Sequence, residues 1–146
     1  KTRESLFLSI KAIALAVSVV AVSPKMIDKL NILEATLFGM RKVVKKLKLE
    51  PNVVLIDGNR VPKIDGLPVG CLVKGDSFIP EISAASIVAK VVRDRLMLKY
   101  HIRYPDYSFD LHKGYGTFLH YEAILEHGLL PDHRKSFNLT RQGVLF

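Results

Sequence analysis

Two aspartates in matching settings are the residues of this 146-residue chain best placed to do chemistry. Asp57 closes the apolar run Val53-Val54-Leu55-Ile56 and is followed by Gly58-Asn59, while Asp76 lies in Gly75-Asp76-Ser77, just after the run Val69-Gly70-Cys71-Leu72-Val73. If both runs are strands of one sheet, the carboxylates emerge at strand ends, beside the crevice where open α/β sheets bind ligands. Two acids there can share a divalent cation, which polarises a phosphoryl oxygen and activates water. The formal net charge of +8 sets this acidic spot in a basic surface, a setting that suits a metal meeting a polyanion.

Two other groupings bear on substrate. Ser86 and Lys90 stand four apart in a stretch dense in small residues, Ser83-Ala84-Ala85-Ser86-Ile87-Val88-Ala89-Lys90. They share a helical face, and early in a helix they could hold a phosphate; close helix packing with a snorkelling lysine fits the pattern as well. His112-Lys113-Gly114-Tyr115-Gly116-Thr117 puts a tyrosine between glycines, where a ring can lie against a sugar or base, or can pin the loop to the core. The five histidines lack the spacing of a zinc site, so none is assigned as a metal ligand. Walker loop, dinucleotide fingerprint and nucleophile elbow are all absent from the sequence.

The elements that must position these residues alternate as in an α/β fold. Helical spacing over residues 2–16 runs into a β-branched strand at 18–22, and Ser23-Pro24 opens a short helix to about residue 30. Asn31 with Glu34 makes a capping pair for a helix to about residue 48, whose polar side carries Arg41, Lys42, Lys45, Lys46 and Lys48. A strand leads to Asp57. Glycine and proline over residues 58–68 mark a turn or hairpin before a second strand at 69–74. A long helix follows over 83–103, then an ordered loop over 106–117, a helix over 118–127, and a last turn or helix leading to Phe137.

Length and a hydrophobic fraction of 49% fit one packed domain over residues 1–146. The single cysteine, Cys71, reads as a small buried hydrophobe and fits a reducing, cytoplasmic compartment. The apolar stretch 12–22 is shorter than the roughly 20 residues a membrane span needs, so it is assigned to the core. No signal-peptide pattern opens the chain, and Lys1 rather than Met stands first.

Taken together, the segments Asn31-Ile32-Leu33-Glu34-Ala35-Thr36, Leu55-Ile56-Asp57-Gly58-Asn59, Lys74-Gly75-Asp76-Ser77, Ile82 to Val91, His112-Lys113-Gly114-Tyr115 and His133-Arg134-Lys135-Ser136-Phe137 resemble the type 2 ribonuclease H family, ribonuclease HII, of the bacterial kind. The resemblance implies a ribonuclease H-like mixed sheet flanked by helices. It implies endonucleolytic cleavage of RNA in RNA/DNA hybrids and of single ribonucleotides in duplex DNA, leaving 5′-phosphate products and serving ribonucleotide excision repair. Four carboxylates would bind Mn²⁺ or Mg²⁺: Asp57 by motif match, Asp76 as its partner, and an adjacent Asp-Glu pair. Tyr115 would stack on the deoxyribose after the ribonucleotide, with Ser86 and Lys90 on backbone phosphates. The complete protein is expected to be a monomer that engages the hybrid duplex and no membrane.

The departure is the Asp-Glu-Ala-Gly-Arg-Gly motif of the family's first strand, which has no counterpart in this sequence. The N-terminal strands are therefore expected to be missing from this chain, leaving unpaired backbone and exposed apolar surface. With half the acids absent, the polypeptide by itself is expected to hydrolyse little or nothing. The alternative is a non-catalytic basic nucleic-acid-binding module that keeps Tyr115 and the basic helix; a basic scaffold protein is a third reading.

Overall fold

The computed structural model describes residues 2–137, which fall into two compact units. Of the described residues, the first comprises 2–22 and 32–91, the second 23–31 and 92–137.

In the first unit, α1 (Arg3–Ile13) begins at Thr2, whose hydroxyl accepts from the Ser5 N–H at 3.3 Å and so satisfies one orphan donor of the first turn. It buries Phe7 and stops three residues earlier than its apolar spacing predicts, because Ala14 turns extended. The strand expected over 18–22 does not form. Its β-branched residues favour extended backbone, but a strand needs a ladder neighbour, and among the described residues β1 pairs with β2 alone. The Val19 carbonyl accepts instead from Lys46 Nζ at 3.1 Å. Nor is the stretch 12–22 core: Ile13 is 81% and Leu15 93% exposed.

The helix α3 (Ile32–Lys45) buries Ala35 and ends near the expected place. Strands β1 (Val54–Asp57) and β2 (Val69–Leu72) pair in parallel, with Val54 opposite Val69 and Asp57 opposite Leu72. Residues 58–68 are thus a crossover and not the hairpin their punctuation suggested, since a tight hairpin can join only antiparallel strands. The fully buried Pro62 anchors this crossover. Cys71, expected to be buried, is exposed, because a two-stranded sheet leaves part of its surface uncovered.

The helix α4 (Pro80–Arg103) starts three residues before the predicted position, with proline in its first turn, where a missing N–H costs nothing. Its first half packs Ile82, Val88 and Val91 into the interior of the first unit, and its second half belongs to the other.

The second unit adds α2 (Pro24–Leu30), capped by the Ser23 hydroxyl accepting from the Met26 N–H at 3.3 Å, as Ser23-Pro24 predicts. The expected loop over 106–117 is more structured than its composition suggested. It holds a 3₁₀ turn at Pro105–Tyr107 and the one-turn helix α5 (Phe109–His112), because its aromatics are core. Tyr107 and Phe109 stack at 5.6 Å between ring centres and pack with Ala123 and Ile124 of α6 (Phe118–His127). The buried Tyr107 hydroxyl donates to the Gly128 carbonyl at 2.7 Å, and Tyr100 donates to Asp132 at 2.6 Å, a bond that pushes the Tyr100 pKa up to about 12. Residues 131–137 form turns, not a helix. Asp28 of α2 holds them, accepting from Lys135 N–H at 3.0 Å, Ser136 N–H at 2.9 Å and the Ser136 hydroxyl at 2.6 Å.

Candidate acidic site and tyrosine loop

Parallel pairing decides where the two aspartates go. Strands running the same way release their C-terminal ends at one edge, so Asp57, the last residue of β1, and the Gly75–Ser77 turn just beyond β2 emerge together. The ladder continues past Asp57 through Gly58 N–H to the Leu72 carbonyl at 3.0 Å. One Asp57 oxygen then accepts from the Gly75 N–H at 2.8 Å, tying the first carboxylate to the turn that carries the second. Lys74 starts this turn in the left-handed region, at φ 58°, and Gly75 is buried where a Cβ would lie 2.8 Å from Ile82 Cδ1. Both aspartates are exposed. The donor set is two hard carboxylates, too few for an all-protein cage. It suits a cation of the magnesium kind, which keeps waters and takes one or two carboxylates together with substrate phosphates. Among the described residues no group of three or more His, Cys, Asp or Glu could hold a metal ion.

Ser86 and Lys90 lie one turn apart on α4, Ser86 exposed and Lys90 half-buried. Because the helix begins at Pro80, Ser86 falls in its second turn, beyond the unsatisfied amides of the first. Any anion there would depend on these two side chains and not on the helix terminus.

Tyr115 is 53% exposed, on a loop with little room around its glycines. Gly114 sits at φ 74° with Met97 Sδ 3.1 Å from where a Cβ would be, and a Cβ on Gly116 would meet the Tyr121 hydroxyl at 2.7 Å. The Arg93 guanidinium lies over the Tyr115 ring at 5.1 Å and donates to the Lys113 carbonyl at 3.1 Å. Beneath the loop, His112 and His120 stack at 4.4 Å. His120 Nδ1 stands 3.0 Å from the Tyr115 carbonyl, and its Nε2 stands 3.1 Å from Nε2 of His133. His133 Nδ1 accepts from the Leu130 N–H at 2.8 Å. His112 Nδ1 accepts from the Gly114 N–H at 3.1 Å, with its Nε2 2.7 Å from the Tyr107 carbonyl. All three rings are buried, and burial pushes their pKa values down, that of His120 to about 4. Sequence reasoning missed these histidines and Arg93. The available signal was that His112 and His133 both lie in segments that carry the resemblance; their spacing along the chain carries none.

Each unit therefore carries a candidate feature of its own: the first an acidic sheet edge with Asp57 and Asp76, the second a tyrosine loop backed by Arg93. The fold class is α/β of the ribonuclease H kind, similar to the ribonuclease H2 from Pyrococcus horikoshii OT3 at a TM-score of 0.79 and 25% identity, over 96% of this chain and 74% of that one. The family model described as Ribonuclease HII matches residues 1–140. Curated relatives agree: ribonuclease HII of Shewanella halifaxensis is 51% identical over 144 residues, 99% of this chain and 70% of the relative. That of a Polaromonas species is 48% identical over 135 residues, 92% of this chain and 67% of the relative. The chain belongs to the Ribonuclease HII family and is of the ribonuclease H class of hydrolases.

Proposed function

We propose that the protein cleaves the RNA strand of RNA/DNA hybrids and single ribonucleotides embedded in duplex DNA, leaving 5′-phosphate ends, with a divalent cation, Mg²⁺ or Mn²⁺. The observation that carries the reading is the parallel pairing of β1 with β2, which sends Asp57 and the Asp76 turn to one sheet edge and joins them by the bond from Gly75 N–H to Asp57. Asp57 and Asp76 would hold the ion, which when bound supplies an activated water and charge neutralisation at the phosphate. The Gly75 N–H fixes one Asp57 oxygen, so the carboxylate meets its ligand already oriented. Tyr115 offers its ring to the sugar after the ribonucleotide, backed by Arg93. Ser86 and Lys90 take backbone phosphates; Lys90→Ala is expected to weaken duplex binding across sequences and to reduce the salt slope by about 1.

Residues 1–146 belong to a single catalytic domain, and the complete protein works as a monomer in the cytoplasm, removing ribonucleotides from DNA; no helix of the described residues is long and apolar enough to cross a membrane. The 146-residue chain has two of the four acids expected of the complete site, so its own hydrolysis is expected to be slight. The test compares the chain with the full-length gene product on a duplex containing one ribonucleotide, with Mg²⁺ or Mn²⁺ and after EDTA. Metal-dependent cleavage by the full-length protein, with 5′-phosphate ends, supports the reading. Its failure to cleave, or cleavage that survives EDTA, overturns it.

A further inference from the structure

The hydrogen bonds around the three buried histidines admit one self-consistent assignment of protons. The Leu130 N–H donates to His133 Nδ1, so a neutral His133 carries its proton on Nε2 and donates to His120 Nε2. With Nε2 accepting, His120 must carry its proton on Nδ1, and that proton points at the Tyr115 carbonyl. This carbonyl also receives the Thr117 N–H at 2.9 Å. His112, accepting at Nδ1 from Gly114 and donating at Nε2 to Tyr107, braces the near side of the same loop. The direction of the chain is set at its far end by a backbone amide, which cannot reverse.

We infer that His120, set in its Nδ1–H form by His133, is a positioning residue that fixes the Tyr115 carbonyl and through it the pose of the Tyr115 ring. The inference rests on the reading of Tyr115 as a substrate contact. The relay works only with neutral rings: a proton on His120 Nε2 would face the His133 N–H, donor against donor. The surroundings oppose that proton, since burial, His112, His133 and Arg134 all lower the His120 pKa. Of the charged groups around the other two rings, Asp132 beside His133 and Asp110 beside His112 pull toward protonation, whereas Lys113 beside His112 opposes it.

Two measurements test it. In the 146-residue chain at neutral pH, long-range ¹H–¹⁵N correlation is expected to show His120 as the Nδ1–H tautomer and His112 and His133 as Nε2–H. Finding His120 as Nε2–H, or charged, overturns the relay. In the full-length gene product, His120→Phe is expected to lower kcat/KM on the single-ribonucleotide duplex by up to about 10²-fold, the cost of an ångström-scale misplacement. His120→Asn, whose amide can still donate to the carbonyl, should recover most of that loss. Added to Tyr115→Ala, His120→Phe should cost nothing further, because its effect runs through Tyr115. An additive loss, or no rescue by asparagine, overturns the positioning role while leaving the substrate-contact reading intact. Wild-type kinetics for Tyr115→Ala overturn that reading, and the positioning role with it, whatever the tautomers prove to be.

Discussion

Asp57 meets two demands with one carboxylate. Its backbone is the last of β1, and one of its oxygens accepts from the Gly75 N–H, which leaves the second outside that bond. Asn can keep the amide contact through its carbonyl oxygen but cannot supply the charge. Asp57→Asn is therefore expected to leave the unfolding midpoint nearly unchanged and to cut cleavage by the full-length protein by more than about 100-fold. That figure is the upper end of what losing an outer ligand-orienting group costs, and a direct ligand should exceed it. Steady-state rates beside a urea titration check both halves. At this scale the sequence was most legible where chemistry depends on residue type. Asp57, Asp76 and the glycine-flanked Tyr115 stand out in a linear reading, whereas Arg93 and His120 acquire meaning only from rings and carbonyls that folding brings beside them.

Among the elements, those specified by local rules were legible in advance: the capped start of α2, the amphipathic α3, and α6 with Gly128 beyond its end. The misread ones depend on a distant partner. Residues 18–22 have strand-forming side chains but no ladder neighbour among the described residues, and residues 58–68 have the punctuation of a hairpin yet serve a parallel pair. Residues 106–117 look like a polar loop until Tyr107 and Phe109 are seen packed against α6. The tyrosine loop depends on backbone freedom, with Lys113 and Gly114 both at positive φ. Gly114 occupies the left-handed region with Met97 close by, so Gly114→Ala is expected to cost about 1–2 kcal/mol, the usual penalty for an L side chain there. Chemical denaturation measures the loss, and faster amide exchange over residues 112–117 should accompany it.

For the molecule as a whole, stability should depend on pH through the buried histidines. Their folded-state pKa values lie below the ordinary 6.5, so below that pH the unfolded chain binds more protons than the folded one. Their contribution is full above about 6.5, erodes as pH falls, and is exhausted near the His120 value of about 4. Thermal melts across this window should show a falling Tm, and His120→Asn should flatten the slope. The chain also exposes Leu15 at 93%, Phe78 at 73% and Leu55 at 44%, in keeping with the expectation of uncovered apolar surface. Sedimentation of the 146-residue chain is expected to show association that grows with concentration, with dye binding typical of open apolar patches. A single sharp monomer at all concentrations, without dye binding, would count against it.

The clamp that Asp28 places on Lys135 and Ser136 also sets a timetable for synthesis. The partners are separated by 107 and 108 positions, and the segment 23–31 belongs to the same unit as the distant residues it holds. On the ribosome, this early segment must wait for more than a hundred codons before its companions emerge. Such long-range closure is slow. During that interval α2 has only its own cap to rely on, so a nascent chain paused before Lys135 would carry α2 without the backbone amides that tie it down.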